Sequence, residues 1–248
     1  MKNINNYTLF KRLKKIMPNN IKPKFIKDVD LLNWNQKQGE IYSKSIIRKN
    51  KAMKMQKILN KSGIRELYIN CSFDNYKVNN NGQNRVLLAS KRYAYKFNGN
   101  ISNFIFSGKP GTGKNHLASA IGNYLILHGK KVLIVTVADL MSNMKNTFHG
   151  KNNITEEKLL NNLSNVDLLI IDEIGIQTES RYEKVIINQI VDRRSSSKKP
   201  TGMLSNLDHK EMRKLLGERV IDRMRLGNSL WLTFEWESFR KNIKGNEY

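Results

Sequence analysis

Apolar residues fall into two rhythms along this chain. Up to about residue 60 they recur three and four apart among lysines. Leu9, Leu13 and Ile16 share a face, beside Phe10 and Met17, and predict a helix over residues 5–17 that Pro18 ends. Asp28 or Asp30 caps a second expected helix bearing Leu31, Leu32 and Trp34, and a third, lysine-rich helix is expected from about Ser43 to Leu59. From residue 83 the rhythm changes to short apolar runs separated by helical stretches. Strands are expected at 103–107, 131–136, 167–171, 201–205 and 229–234. Between them fall helices at about 83–97, 114–128, 138–148, 155–163, 180–194 and within 208–226. That alternation predicts an α/β fold, a parallel sheet flanked by helices on both faces. Residues 60–84 carry Gly63 and Asn79-Asn80-Asn81-Gly82 with little periodicity, and read as a linker. The expected organisation is a small all-helical domain over 1–60, a linker over 61–84 and an α/β domain over 85–248.

Charge follows the same division. The 248 residues carry a net +23, and residues 1–64 alone hold 16 Lys/Arg against 3 Asp/Glu. A polyanionic partner fits that excess. Abundant Lys, Asn and Ile also follow from AT-rich coding, so the charge supports the inference without carrying it. Cys71 is the only cysteine, which excludes an intrachain disulfide and fits a reducing compartment. The four histidines show no metal spacing. No stretch approaches the roughly 20 apolar residues that span a bilayer. No signal peptide is visible, and the expected location is cytoplasmic.

Two segments carry chemistry. Gly108-Lys109-Pro110-Gly111-Thr112-Gly113-Lys114-Asn115 directly follows an expected strand. Its glycines let backbone N–H groups turn inward around phosphates, and Lys114 reaches the terminal ones. Leu168-Leu169-Ile170-Ile171-Asp172-Glu173 is a buried strand delivering two carboxylates at its end. Asp172 suits Mg²⁺ and Glu173 suits orientation of a water. Together, in this order and with a helix between, they predict an ATP site. Asn115 stands where a Ser or Thr is usual. Either its amide oxygen replaces the hydroxyl as a hard Mg²⁺ ligand, or the loop binds nucleotide without turning it over.

Other positions converge on that site. Asn206 ends a later strand, where it can hold an attacking water or cap the following helix. Arg219 and Arg223 are four apart and share a helical face. Either can reach a neighbouring subunit's ATP as an arginine finger, or form salt bridges to Glu218 and Asp222. Arg240 follows the last strand and can sense phosphate in its own subunit.

The combination resembles an AAA+ ATPase of the initiator and helicase-loader group, and more closely the DnaC-type bacterial helicase loaders. The resemblance covers nearly the whole chain. It rests on Phe106–Leu117, Asn165–Gly175, Tyr182–Arg194 and Leu215–Arg225, and on Ala52–Gln56 and Asn70–Phe73 before the core. It implies a P-loop AAA+ fold with a reduced lid, since about 14 residues follow the last strand. It assigns Lys114 and Asn115 to Walker A, Asp172 and Glu173 to Walker B, Asn206 to sensor 1, Arg223 to the finger and Arg240 to sensor 2. It also implies weak, DNA-stimulated ATP hydrolysis acting as a switch, and assembly into a spiral on a DnaB-type hexameric helicase. Phe148, Ser180 and Tyr182 resemble positions that meet single-stranded DNA. An aromatic ring stacks on a base of any sequence, and a helical Phe is also commonly core. Leu13, Leu31 and Trp34 are the expected helicase contacts.

Two other readings stand beside this one. A transposition helper ATPase of the same group shares the core motifs and differs in extensions and partner. A nucleotide-binding adaptor lacks significant hydrolysis.

Overall fold

The computed structural model describes residues 15–16, 28–148, 155–175 and 180–239, with backbone alone at 28, 30–31, 48–60 and 148. Apart from residues 15–16, which are helical, the expected helix over 5–17 with Leu13 lies outside these residues, as does Arg240. So do the side chains of Leu31 and Phe148.

The chain divides into two compact units, Met1–Lys54 and Met55–Tyr248. The two helices expected after residue 28 are one. Helix α1 runs without a break over Asp28–Lys61. The polar stretch from Asn35 to Glu40, where a break was expected, holds no proline. Gly39 alone costs about 1 kcal/mol against alanine, too little to stop a helix. Val29, Leu32, Trp34, Ile41, Tyr42, Ile46 and Ile47 are all exposed on α1.

The second unit is built on five parallel strands in the order β2-β3-β4-β1-β5. These are β1 (Phe104–Gly108), β2 (Val132–Thr136), β3 (Leu168–Ile174), β4 (Thr201–Ser205) and β5 (Leu230–Phe234). Successive strand residues face opposite sides, so the sheet builds two cores. On one face Phe104, Phe106, Leu168 and Ile170 pack with α2 (Asn81–Tyr95) and α3 (Lys114–Leu127). On the other, Ile105, Leu169 and Ile171 pack with α4 (Val137–Phe148), α5 (Glu156–Asn165) and α6 (Arg181–Ser196), together with α7 (His209–Leu216) and α8 (Glu218–Met224). All of these elements overlap the expected ones. Asn80 starts α2 by accepting from the Gln83 N–H at 2.8 Å.

Residues 61–84 are not a free linker. Ile64, Cys71 and Phe73 are buried, and Ile64 and Phe73 belong to the α2/α3 core. The Ser62 carbonyl accepts from Ile134 N at 2.7 Å, on strand β2. Asn123 of α3 donates to the carbonyls of Tyr68, Ile69 and Cys71. A side chain from a distant helix therefore organises what looks aperiodic in sequence.

Arg194 closes the other layer. It is fully buried, and its guanidinium donates to the carbonyls of Leu163, Ser164, Val166 and Pro200 and to Thr201 Oγ1. Burial pushes its pKa down to about 10. These bonds fasten the α5–β3 turn to the end of α6.

Candidate functional site: a nucleotide cleft and an arginine pair

The glycine-rich loop leaves β1 and opens α3 over the strand tips. Gly108 has φ 119°, and a Cβ there would meet the Phe234 carbonyl oxygen at 2.3 Å. Gly113, at φ 96°, would drive a Cβ to 2.7 Å from the Tyr76 ring. Only glycine fits either position. Lys114 is buried, and its ammonium donates to the carbonyls of Gly108 (2.6 Å) and Lys109 (2.7 Å). Thr112 Oγ1 donates to Lys109 O at 2.7 Å. Trp236 Nε1 donates to Thr112 O at 3.0 Å, and the Phe239 N–H to Gly111 O at 2.9 Å. The chain after β5 thus lies against the loop and fixes its shape.

The acidic strand end meets this loop directly. Asn115 Nδ2 donates to Asp172 Oδ2 at 2.7 Å. An amide that donates through nitrogen keeps its oxygen as a hard ligand. Asp172 is buried. Burial pushes its carboxyl up, and the neighbouring Glu173 charge adds to this; N–H donation from Glu173 and Asn115 and the charge of Arg65 oppose it. A buried carboxylate so destabilised gains from a cation beside it. Mg²⁺ is held through one or two carboxylates plus substrate phosphates, which this donor set fits.

Glu173 departs from strand geometry. Its φ is +62°, and the β3–β4 register slips between Ile171 and Ile174. A bulge of this kind re-aims one side chain at the end of a strand. Such φ values cost a non-glycine residue about 1–2 kcal/mol and cluster at functional sites.

Asn206 lines the same cleft as Lys114, Asp172 and Glu173, with a volume of about 540 Å³, in the range of small-molecule sites. Its capping alternative does not hold. Asp208 caps α7, accepting from Glu211 N at 2.8 Å while the Glu211 carboxylate takes the Asp208 N–H. Sequence reasoning missed the opposite wall. Tyr68, Asn75 and Tyr76 line the cleft from the segment read as a linker. His116 Nε2 lies 3.0 Å from Ser72 O, which requires the N–H on that nitrogen, and its ring packs edge-on to Tyr76. The signal for this wall was the aromatic and cysteine run at 68–76, set against its low periodicity.

The arginine pair lies elsewhere on the unit. Neither arginine pairs with Glu218 or Asp222. Arg219 Nη2 donates to Asp192 Oδ2 at 2.7 Å, and Arg223 Nη1 lies 2.6 Å from Asp192 Oδ1. Glu218 instead pairs with Arg213 at 3.1 Å. Ser180 caps α6, accepting from Glu183 N at 3.1 Å. Tyr182 is half-buried against the α6 core, so its ring is partly structural. Among the described residues no group of three or more His, Cys, Asp or Glu gathers into a metal site, and no helix is long and apolar enough to cross a membrane.

Comparison with known proteins agrees with this geometry. The family model "IstB-like ATP binding protein" matches residues 36–244. A replicative helicase loader DnaC of Buchnera aphidicola subsp. Acyrthosiphon pisum is 77% identical over 239 residues, covering 96% of this chain and 97% of that one. The replicative helicase loader DnaC of Escherichia coli K12 is 62% identical over 248 residues, all of both chains. Among solved structures, the DnaC helicase loader has a TM-score of 0.60 at 27% identity, covering 68% of this chain and 99% of that one. A Walker loop joined to an acidic strand end on a parallel AAA+ sheet, with relatives matched from end to end, places the chain in the IstB-like ATP-binding family and in the DnaC family of replicative helicase loaders.

Proposed function

We propose that this protein is a cytoplasmic, ATP-switched loader that binds a DnaB-type hexameric helicase and delivers it onto single-stranded DNA. The observation that carries the switch is the Asn115–Asp172 hydrogen bond, which ties the phosphate loop to the acidic strand end. Lys114 and the loop N–H groups hold the phosphates. Asp172, with the Asn115 oxygen, would hold Mg²⁺, which would supply neutralisation of charge at the phosphates. Glu173 and Asn206 orient the attacking water. Arg240 senses phosphate in cis. Arg223 acts on the nucleotide of a second copy in a spiral assembly. Hydrolysis is weak and DNA-stimulated.

Residues 1–60 form the helicase-binding module, with Leu13, Leu31 and Trp34 as contacts; the exposed apolar residues of α1 support this. Residues 85–248 carry the ATPase. Single-stranded DNA meets Phe148, Ser180 and Tyr182, at the end of α4 and the start of α6. The end-to-end match to helicase loaders favours this reading over a transposition helper. Co-purification with the replicative helicase, followed by ATP-dependent transfer of that helicase to a single-stranded oligonucleotide, tests it. A chain that neither binds the helicase nor moves it overturns the proposal.

A further inference from the structure

One carboxylate stands between two guanidiniums on α6 and α8. Asp192 offers one oxygen to each arginine, Oδ2 to Arg219 and Oδ1 to Arg223. The cluster therefore keeps a net positive charge while both side chains are held. Arg223 and Asp192 are similarly enclosed, with 26% and 27% of their side chains exposed, whereas Arg219 is 69% exposed. Two arginines four apart on a helix repel when nothing lies between them. A free arginine also spreads over many rotamers, and fixing it costs about 2 kcal/mol of entropy. A guanidinium has five N–H donors, and the contact of Arg223 with Asp192 is an ion pair at Nη1 alone.

We infer that Asp192 is a positioning residue for phosphoryl transfer between copies. It restrains Arg223 through an ion pair at Nη1, while the remaining donors serve a terminal phosphate bound in a second copy of this chain. The inference rests on Arg223 being the finger, as proposed above. Asp192 touches no nucleotide of its own; removing its charge lets the two arginines separate and disorders the donor before assembly.

The test uses the full chain with the helicase, a thymidine oligonucleotide and ATP. Asp192→Asn, which keeps shape and loses charge, should lower assembled turnover about fivefold, the upper end for a partly exposed ion pair. ATP affinity of the isolated chain should stay within about twofold. Asp192→Glu should restore part of the turnover. Mixing separates donor from acceptor. Asp192→Asn chains mixed with Lys114→Ala chains, which bind no ATP but present an intact pair, should regain activity. Asp192→Asn mixed with Arg223→Ala should not. Undiminished turnover in Asp192→Asn while Arg223→Ala is impaired overturns the positioning role and leaves the finger standing. Unchanged turnover in Arg223→Ala removes the finger itself and overturns both. Lost ATP binding, or no rescue by Lys114→Ala, makes Asp192 a folding residue and also overturns the inference.

Discussion

The nucleotide cleft and the arginine pair of α8 are stabilised by opposite means. In the cleft, geometry comes mostly from contacts with backbone. Lys114 is held by loop carbonyls, Asn115 by a buried carboxylate, Glu173 by a bulge, and the loop by Trp236 and Phe239. At the arginine pair, geometry comes from one partly exposed ion triplet whose members sit on two helices. A site built from backbone is specified by the fold before ligand arrives. A site built from long side chains in water is marginal alone, since such pairs contribute about 0–1 kcal/mol. The cleft is ready in a single copy. The arginine pair is suited to becoming useful only when a second copy excludes water around it.

The largest break in that comparison is chemical. Lys114→Ala should abolish ATP binding, read by fluorescent-nucleotide titration, because it removes the buried cation facing the phosphates. Glu173→Gln should retain affinity and lose turnover on the order of 100-fold, the usual contribution of a positioned proton acceptor. Wild-type-like phosphate release from Glu173→Gln would overturn its assignment to water. The arginine side should behave differently: Arg223→Ala leaves single-copy affinity alone and acts only on assembled turnover.

A second break targets the frame beneath the arginines. Arg194→Met removes a buried guanidinium and takes its donors from the Leu163, Ser164 and Val166 carbonyls and the Thr201 hydroxyl, while Pro200 O keeps the Leu169 N–H. It should cost about 3 kcal/mol or more in urea unfolding. A change under 1 kcal/mol would mean that water or rearrangement satisfies those groups.

Trp34→Ala sharpens the comparison by lying in neither site. If Trp34 anchors the helicase, its loss should weaken that binding about thirtyfold at about 2 kcal/mol, with ATP affinity unchanged. Circular dichroism of the variant must show α1 intact. Unchanged helicase affinity with α1 intact would remove Trp34 from the contact.

The smallest effect is a pH dependence. Burial pushes the His116 imidazole below its ordinary 6.5, so as pH falls through 6.5 the unfolded chain takes up the proton first. Stability at this site is fully present above pH 6.5 and declines below it. His116→Gln keeps an N–H for Ser72 O and removes the titration. Its urea midpoint should fall less than that of the wild type between pH 7.5 and 5.5. Parallel curves would show that His116 does not carry the dependence.

Most of this was legible in the sequence for a physical reason. The strands are continuous apolar runs because both sheet faces are covered, and the loop and acidic strand end are local in sequence. What was not legible depends on distant partners. Residues 62–80 look aperiodic because Asn123, Ile134 and the α2/α3 core order them, not their own repeat. The unbroken α1 was hidden by a polar stretch that merely lowers its amphipathicity. The sequence neighbours Glu218 and Asp222 were the alternative partners for Arg219 and Arg223, but the carboxylate that takes them lies 27 residues from Arg219. Asn206 was ambiguous until Asp208 proved to be the cap.

The bulge at Glu173 has a consequence for directed evolution. A left-handed backbone favours Gly or Asn over Glu by about 1 kcal/mol. A library screened for thermal tolerance alone will therefore collect Gly or Asn at 173, and under the role proposed for Glu173 its winners will be sturdier proteins that hold ATP and do not spend it. Any stability screen of this chain needs a turnover counter-screen at that single codon.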